Sequence, residues 1–351
     1  MIQLCELLEA PPSDLWTLVN QCGVDGVVAI LDGAEQQGRW LRAAAHSGAA
    51  EPAADRGGPA PWSYESLADM VALYARHGLR VAAIEDPPPM DAIRMGLPDA
   101  PTRLAQVHEQ IRAMGRLGIP VLCYNWMAAS SWARTDTAIP TRGGALTTGF
   151  KSADAEQLPA LLPPGALTEE TLWSTLHEFL AATLPVAEEA GVMLSLHPDD
   201  PPLPSTRGVP RIVRSLDAYR TIMRDHPSPA NRITFCQGNF RLMTSDLPAT
   251  IDEFLPHIAF VHLRDVEGTV EDFTETFHDQ GPTDLAECVR RYVAGGFSGP
   301  MRPDHVPTLC GESNAKPGYA TLGRLFAVGY VRGLIDAAVS IDQEGRKEPR
   351  S

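Results

Sequence analysis

Short, continuous runs of apolar residues recur along the chain, and longer stretches with an apolar residue at every third or fourth position separate them. The short runs are rich in Val, Ile and Leu, which is typical of parallel strands that are covered on both faces. They predict eight strands, at residues 2–8, 26–31, 80–85, 120–125, 192–197, 233–238, 259–264 and 300–305. The longer stretches have the spacing of amphipathic helices, the clearest at residues 14–23, 63–78, 100–118, 167–191 and 283–296.

Each of these helices reaches a glycine before the next strand, at Gly23, Gly78, Gly118, Gly191 and Gly295. A glycine just past a helix adopts the left-handed conformation that turns the chain back toward a sheet. Eight strands alternating with helices predict an α/β fold of the (β/α)8 TIM barrel type, as a single domain over residues 1–340. The alternative is a doubly wound open sheet, which needs a phosphate-binding turn such as GxGxxG, and the chain has none.

Three segments depart from the alternation. Residues 44–61 are rich in Ala, Pro and Gly, and we predict a mobile loop there. Residues 127–165, after the fourth strand, form a connection far longer than usual, and Trp132, Phe150 and two arginines within it favour a lid-like insertion over disorder. The polar end of the chain, residues 341–351, predicts a disordered tail.

Composition narrows the range of functions. The 351 residues are 44% hydrophobic and carry a net charge of −15, which argues against a nucleic-acid partner. No apolar stretch approaches the roughly 18–20 residues of a membrane span, and the N-terminal residues lack a secretory signal. The six scattered cysteines form no CxxC pair, so we expect free thiols in a cytoplasmic protein. A homo-oligomer is compatible with the sequence, which does not fix the oligomeric state.

Metal-competent side chains stand at the ends of the last four predicted strands, at His197, Cys236, His262 and Asp304, with His305 next in the chain. The carboxyl ends of all strands in a barrel meet on one face, so these residues would be neighbours. Two imidazoles, a thiolate and a carboxylate suit a divalent transition metal, and Mn²⁺ or Fe²⁺ in an open site fits better than structural Zn²⁺. Each residue alone has an ordinary alternative, as a packed core side chain or a helix cap, but four consecutive strand ends favour a site.

Polar groups suited to a small anionic ligand lie nearby in the predicted fold, at Asn125, Arg134, Arg264, Arg302 and Tyr319. The guanidinium fork matches a carboxylate with two hydrogen bonds, although a surface ion pair is an equal alternative for each arginine. Glu85 also ends a strand, as either a ligand or a helix cap.

Several segments, in order, are similar to those of the metal-dependent mannonate dehydratases of the xylose-isomerase-like barrel type. They are "CYNWM", "SWARTD", "LHPDDPP", "ITFCQGNF", "FVHLRDV", "PMRPDH" and "PGYATLGRLFAVGYVRGL", and the resemblance spans roughly residues 105–335. It implies a (β/α)8 barrel with Mn²⁺ or Fe²⁺, a small anionic sugar-acid substrate, and the dehydration of D-mannonate to 2-keto-3-deoxy-D-gluconate in hexuronate catabolism.

The resemblance also implies roles for single residues. It matches His197, Cys236, His262 and Asp304 to the metal ligands, and His305 and Tyr319 to the acid/base pair. We assign His305 as the base and Tyr319 as the acid, and the reverse assignment stays open. A family segment beginning Phe-His-Glu corresponds to Phe273, Thr274 and Glu275, with His278 at a matching offset. Glu275 and His278 are therefore expected at the substrate.

The chain departs from the family pattern at Val306, where the family has glycine, and at Thr274, where it has histidine. A paired histidine after the second strand is replaced by Asp32 and Gly33. These changes leave the fold and metal ligands intact but allow a related aldonate as the substrate. The alternatives are a sugar isomerase, an epimerase or another lyase on the same barrel, or a catalytically inactive binding protein.

Overall fold

A computed structural model describes residues 1–31, 58–85 and 87–347 of the chain. In chain order its strands are β1 Gln3–Leu8, β2 Gly26–Ala29, β3 Val81–Ile84, β4 Val121–Asn125, β5 Asp136–Pro140, β6 Leu146–Lys151, β7 Met193–His197, β8 Ser205–Thr206, β9 Val209–Pro210, β10 Asn231–Cys236, β11 Ile258–Leu263, β12 Val266–Gly268, β13 Asp272–Glu275 and β14 Pro300–Pro303. Its α-helices are α1 Asp14–Gln21, α2 Tyr64–Arg76, α3 Asp91–Arg94, α4 Ala100–Leu117, α5 Ser152–Ala155, α6 Glu169–Ala190, α7 Leu216–Asp225, α8 Gln237–Met243, α9 Leu247–Phe254, α10 Leu285–Ala294 and α11 Thr321–Lys347.

Eight parallel strands close into a barrel, in the order β1-β14-β11-β10-β7-β4-β3-β2. The predicted (β/α)8 fold is therefore confirmed, and each of the eight predicted strands is present, with ends shifted by up to two residues. Strand pairing sets Asn125 opposite His197, and Cys236 opposite His262, which is itself opposite Arg302. Polar residues at the carboxyl ends of neighbouring strands are thereby brought side by side.

The strands are apolar throughout because both of their faces are buried. One hydrophobic cluster consists almost entirely of strand residues, among them Leu7, Val28, Val121 and Phe260, and fills the barrel interior. A second and larger cluster packs the outer strand faces against the helices. Continuous apolar runs of this kind are what a parallel sheet enclosed by helices requires.

The glycines that follow four of the predicted helices adopt the expected left-handed conformation, with φ between 66° and 76° at Gly23, Gly78, Gly118 and Gly191. The prediction for Gly295 was wrong by one residue. Gly295 has φ −81° and Gly296 has φ 79°, so the chain turns one position later. Gly295 is needed for a different reason, because a Cβ there would lie 1.8 Å from Leu255 Cδ2.

A small antiparallel sheet stands beside the mouth of the barrel, and we call it the accessory sheet. Its strand order is β12-β13-β6-β5. Strands β5 and β6 belong to the 127–165 insertion, whereas β12 and β13 follow barrel strand β11. The sequence predicted the insertion as a lid but not its strands, nor their pairing with β13.

Three further sequence predictions are corrected or lie outside the described residues. The sixth strand ends at Cys236 rather than 238, because Gln237 begins a helix. The tail predicted from residue 341 is helical as far as Lys347, and residues 348–351 lie outside the described residues, as does the 44–57 part of the predicted loop. In the part of the chain that the structure describes, none of the helices has the length and apolar character required to span a membrane.

Candidate metal centre and active site

A cavity of about 780 Å³, including its open mouth, lies at the carboxyl ends of the barrel strands. Its wall combines strand-end residues with the start of the 127–165 insertion. The polar side chains that line it include Glu85, Asn125, His197, His262, Asp304 and Tyr319. This is the face on which (β/α)8 barrels carry their chemistry.

Three of the predicted metal ligands meet at this cavity, where His197 and His262 line the wall and Cys236 is buried beside them. We call these three residues the metal-competent cluster. The potential ligand atoms of the three side chains all lie within 4.8 Å of one another. Each comes from a different strand, β7, β10 and β11. Cys236 is directly opposite His262, and His197 comes one residue after Leu196, which is opposite Ile233. Two imidazoles and a thiol at this spacing suit a transition metal.

His262 gives the clearest sign that a ligand belongs here. Its side chain is 1% exposed, yet neither ring nitrogen makes a hydrogen bond within the described residues. The neighbouring carboxylate oxygens are Glu85 Oε2, 3.4 Å from Nε2, and Asp304 Oδ2, 3.7 Å from Nδ1. A buried imidazole without hydrogen bonds is costly, and coordination of a cation would offset that cost.

The hydrogen bonds of the other two members of the cluster, His197 and Cys236, suit them to bind a metal. His197 Nδ1 lies 2.7 Å from the carbonyl oxygen of Pro198, to which it donates its proton, so Nε2 keeps its lone pair. Desolvation lowers the pKa of His197, which favours the neutral imidazole that binds metals. Asn239 Nδ2 donates a hydrogen bond of 3.3 Å to Cys236 Sγ, which helps to hold the sulfur in place.

Asp304, the fourth predicted ligand, lies beside the cluster and is also held by arginines. Its Oδ2 is 3.9 Å from Cys236 Sγ, and its Oδ1 accepts a hydrogen bond of 2.6 Å from Arg302 and one of 3.2 Å from Tyr319. Burial by itself would raise the pKa of Asp304, but the positive charge of Arg302 outweighs it and holds the pKa well below its usual range. The carboxylate is therefore ionised and within reach of a cation bound to the cluster.

A second trio, Glu85, Cys123 and His262, has comparable spacing but is less suited to a cation. Both Glu85 oxygens accept hydrogen bonds from Arg302, at 3.0 and 3.1 Å. Burial opposes ionisation of Glu85, but Arg302 overrides it and lowers the pKa to about 2. The metal-competent cluster is the better site because it offers two imidazoles and a thiol, whereas both oxygens of Glu85 are already bound by Arg302.

Two arginines and two carboxylates alternate beside the cavity, which Asp200 lines, and we call Arg134, Asp200, Arg264 and Glu275 the ion-pair network. Asp200 accepts from Arg134 at 2.7 Å and from Arg264 at 2.9 Å. Glu275 contacts the same two guanidinium groups at 2.5 and 3.0 Å. All four side chains are at most 2% exposed, and their charges sum to zero. Such a buried set is tolerable only because every charge has opposite neighbours.

His305 connects the network to the cavity. Its Nδ1 lies 2.9 Å from Glu275 Oε1, and its ring packs against Trp132 and Tyr319, with centroid distances of 4.9 and 5.5 Å. The backbone of His305 is left-handed, with φ 41°. His305 adopts the left-handed conformation, and Val306 does not. The N–H of Val306 donates a hydrogen bond of 2.8 Å to the carbonyl of Gly318. A glycine is therefore not needed at position 306 in this chain.

The predicted substrate-binding residues divide into two groups. Asn125 and Arg302 line the cavity, whereas Arg134, Arg264, Glu275 and His278 do not lie among its lining residues. Arg134, Arg264 and Glu275 belong to the ion-pair network, because each finds opposite charge inside the protein. His278 Nε2 donates to the carbonyl of Leu263 at 2.8 Å, which holds the imidazole against strand β11.

Sequence reasoning missed two residues of the site. Arg94 lines the cavity and donates two hydrogen bonds, of 3.2 and 3.0 Å, to the carbonyl of Asn125. The available signal was an arginine within the apolar stretch "AIRMG". Asp200, in the segment "LHPDDPP", lines the cavity and supplies one of the two carboxylates of the ion-pair network.

Comparison with known proteins identifies relatives along most of the chain. The family model described as "D-mannonate dehydratase (UxuA)" matches residues 14–162 and 165–345. The mannonate dehydratase of Shouchella clausii is 31% identical over 309 residues, which cover 79% of this chain and 86% of the relative. That of Enterococcus faecalis is 32% identical over 310 residues, with the same coverage.

Solved structures agree with these sequence relatives. The crystal structure of mannonate dehydratase from Streptococcus suis serotype 2 superposes with a TM-score of 0.83 at 27% identity, covering 99% of this chain and 95% of that one. An L-ribulose 3-epimerase superposes with a TM-score of 0.57 at 13% identity, covering all of both chains. At that identity the second match shows only a common fold.

Proposed function

The chain belongs to the D-mannonate dehydratase family, carbon–oxygen lyases of the hydro-lyase class, and we propose that it converts D-mannonate, or a closely related aldonate, to 2-keto-3-deoxy-D-gluconate or its counterpart. One observation carries the proposal. His197, Cys236 and His262 converge beside a cavity that both histidines line, together with His305 and Tyr319. That combination supplies a metal position and two proton-transfer groups in one place.

We further propose Mn²⁺ or Fe²⁺ as the cofactor, held by His197, Cys236, His262 and Asp304. The absence of hydrogen bonds to the buried His262 nitrogens within the described residues, and the hydrogen bond from Asn239 to Cys236, support this donor set. When bound, such an ion supplies electrophilic stabilisation of the negative charge that develops beside the substrate carboxylate as C2 loses its proton.

In the proposed reaction His305 is the base. Its Nδ1 donates to the Glu275 carboxylate, which leaves Nε2 to accept the proton from C2 of the substrate. The electrons of the C2–H bond form the C2=C3 double bond, and the C3–O bond breaks. The resulting enol takes a proton at C3, loses the proton of its 2-hydroxyl to solvent and becomes the 2-keto-3-deoxy acid.

Tyr319 is the proposed acid, which protonates the departing 3-hydroxyl so that it leaves as water. Desolvation in the cavity, followed by the neighbouring Asp304 carboxylate, raises the pKa of Tyr319 well above its ordinary value. The phenol therefore keeps its proton until a developing hydroxide accepts it. In the reverse assignment Tyr319 would have to ionise before it could act as the base, which this raised pKa disfavours.

The alternative activities find less support. Isomerases and epimerases of this barrel commonly use carboxylate ligands and a lysine, whereas the described cavity wall has no lysine and the cluster is made of His and Cys. An inactive binding protein would have no need of both His305 and Tyr319 at the wall. Participation in hexuronate catabolism and a cytoplasmic location remain predictions from the sequence.

A direct assay tests the proposal. Protein loaded with Mn²⁺ or Fe²⁺ is incubated with D-mannonate and a panel of other aldonic acids, and formation of 2-keto-3-deoxy acid is measured. We expect turnover of D-mannonate or of one close stereoisomer, and incorporation of a single solvent deuterium at C3 when the reaction is run in D₂O. Absence of product from every acid, with metal bound, would refute the proposed function.

A further inference from the structure

We propose that Glu275 is a positioning residue for His305 and that the accessory sheet serves to hold it there. The inference rests on the proposed function in taking His305 as the base. The resemblance implies that Glu275 contacts the substrate. The inference instead assigns it a role in orienting His305. It also gives the 127–165 insertion a supporting function.

The contact between Glu275 and His305 fixes one form of the imidazole. Glu275 Oε1 lies 2.9 Å from His305 Nδ1, and a carboxylate offers only acceptors, so Nδ1 must carry the proton. Nε2 then keeps its lone pair for the substrate. The opposite tautomer would turn an acceptor toward the carboxylate and leave Nε2 unable to take a proton.

One neighbour favours the opposite tautomer. Arg134 Nη2 lies 3.2 Å from His305 Nδ1 and could donate to it. The same Nη2 lies 2.5 Å from Glu275 Oε1, a shorter contact with a charged acceptor. Charge-assisted hydrogen bonds are the stronger ones, so Arg134 donates to Glu275, and Nδ1 of His305 is left to donate as well.

The carboxylate is itself held on two sides. Arg264 Nη1 contacts both oxygens of Glu275, at 3.0 and 3.1 Å, and Arg134 binds Oε1 from the other direction. With four or more hydrogen bonds converging on it, the carboxylate cannot rotate away from His305. Arg134 is supplied by the 127–165 insertion, and Arg264 follows barrel strand β11.

The accessory sheet fixes the backbone of Glu275. As the last residue of β13, Glu275 is opposite Val266 of β12, and its strand pairs with β6 on the other side. The β6–β13 pairing is tight at Gly149, where a Cβ would lie 2.8 Å from the carbonyl oxygen of Phe273. Phe150 and Phe273 stack beside it at 5.9 Å. Strand β6 therefore braces the strand that presents Glu275.

The tautomer of His305 tests the proposal without any assay of activity. Protein with ¹⁵N-labelled histidine, loaded with diamagnetic Zn²⁺, is examined by NMR, and an H305N variant identifies the His305 signals. We expect a protonated Nδ1 and an unprotonated Nε2 in the wild-type protein. Finding the proton of neutral His305 on Nε2 would overturn the proposal, whatever the enzyme turns over.

A kinetic comparison tests the consequence. E275Q keeps the shape of the side chain but removes its charge, and E6Q is the matched control, since Glu6 is an equally buried carboxylate that pairs with Arg324 away from the cavity. We expect E275Q to lower kcat by about 10- to 100-fold with little change in KM, and to increase the isotope effect of C2-deuterated substrate.

A purely structural role would move E275Q and E6Q alike, with equal losses of melting temperature and activity and no change in the isotope effect, and would contradict the proposal. If the wild-type protein turns over no aldonic acid, the proposed function fails while the NMR experiment still decides the role of Glu275. If E275Q does not fold, the wild-type tautomer remains decisive.

Discussion

The metal-competent cluster and the ion-pair network, both at the mouth of the barrel, differ in how the protein satisfies their buried polar atoms. In the metal-competent cluster, both ring nitrogens of His262 lack a hydrogen bond within the described residues. In the ion-pair network, Asp200 and Glu275 each contact two guanidinium groups. Because an unsatisfied buried polar atom is costly, the first arrangement indicates a ligand from outside the chain. In the second, each carboxylate already has two positively charged partners inside the protein.

The two groups of residues also come from different parts of the fold. His197, Cys236 and His262 all belong to barrel strands, whose hydrogen-bonded register fixes their separation. Arg134 and Glu275 belong to the insertion and the accessory sheet. The barrel thus supplies the metal ligands, and elements added to the barrel support the proton-transfer residue. Substitutions in the two groups of residues separate these contributions.

The largest effect is expected from removal of a proposed ligand. C236A should lose bound metal, with affinity falling by at least about 10²-fold, and turnover should fall with it. Metal content after dialysis, measured by mass spectrometry, and product formation give the two readouts. C288A is the matched control, since Cys288 is an equally buried thiol that is not part of the metal-competent cluster. Full metal content and activity in C236A would remove Cys236 from the site.

The next effect is expected at the proton-transfer residues. In H305N the amide replaces Nδ1, which contacts Glu275, and only Nε2 is lost. In Y319F only the hydroxyl is lost. Each variant should lower kcat by about 10²- to 10⁴-fold while metal content stays unchanged. Single-turnover kinetics together with metal analysis check this. A variant that loses metal and activity in parallel would show that the substituted residue also supports metal binding.

The ion-pair network should determine stability in acid. Burial opposes ionisation of Glu275, but Arg264 and Arg134 outweigh it and lower the pKa from 4.5 to about 2. Because the folded pKa lies below the unfolded one, the ionised carboxylate stabilises the fold above pH 4.5, and this contribution is lost as the pH falls toward 2. E275Q should cost about 3–5 kcal/mol at neutral pH, and its difference from wild type should shrink in acid.

Thermal unfolding between pH 7 and pH 2 measures this difference. The control is D69N, which removes an exposed carboxylate on helix α2 and should leave a nearly constant difference from wild type. An E275Q deficit that stays the same across the acid range would show that Glu275 is not ionised in the folded protein.

The smallest effect is expected from the support of a ligand. N239A removes the hydrogen bond to Cys236 Sγ and should weaken metal binding by about 10-fold without abolishing it. Titration of the metal-free protein with Co²⁺, followed by thiolate-to-metal absorption, gives both the affinity and the ligand field. Unchanged affinity and spectrum would mean that Asn239 does not act on the thiolate.

The barrel and its metal-competent cluster could be predicted because both follow from local patterns. Continuous apolar runs identify strands with two buried faces, and His197, Cys236 and His262 stand at the ends of three of them. In a closed parallel barrel, the position of a residue on its strand already fixes which residues are its neighbours. The sequence therefore identified the cluster before its geometry was available.

The role of the arginines could not be predicted in this way. Arg134 and Glu275 are 141 positions apart, and Arg134 and His305 are 171 apart. No periodicity links such residues, and an arginine near a predicted site is equally suited to a substrate carboxylate or to a carboxylate of the protein. Only the antiparallel pairing of β6 with β13 brings the insertion to Glu275.

The sequence by itself determined the fold, the donor types at the strand ends and the family, because these depend on side-chain chemistry and on local hydrophobic periodicity. The tertiary structure alone decided which charges satisfy one another and which polar atoms are left for a ligand. Electrostatic partners are selected by distance in three dimensions, and burial makes that selection strict, since a charge without a partner in the interior would destabilise the protein.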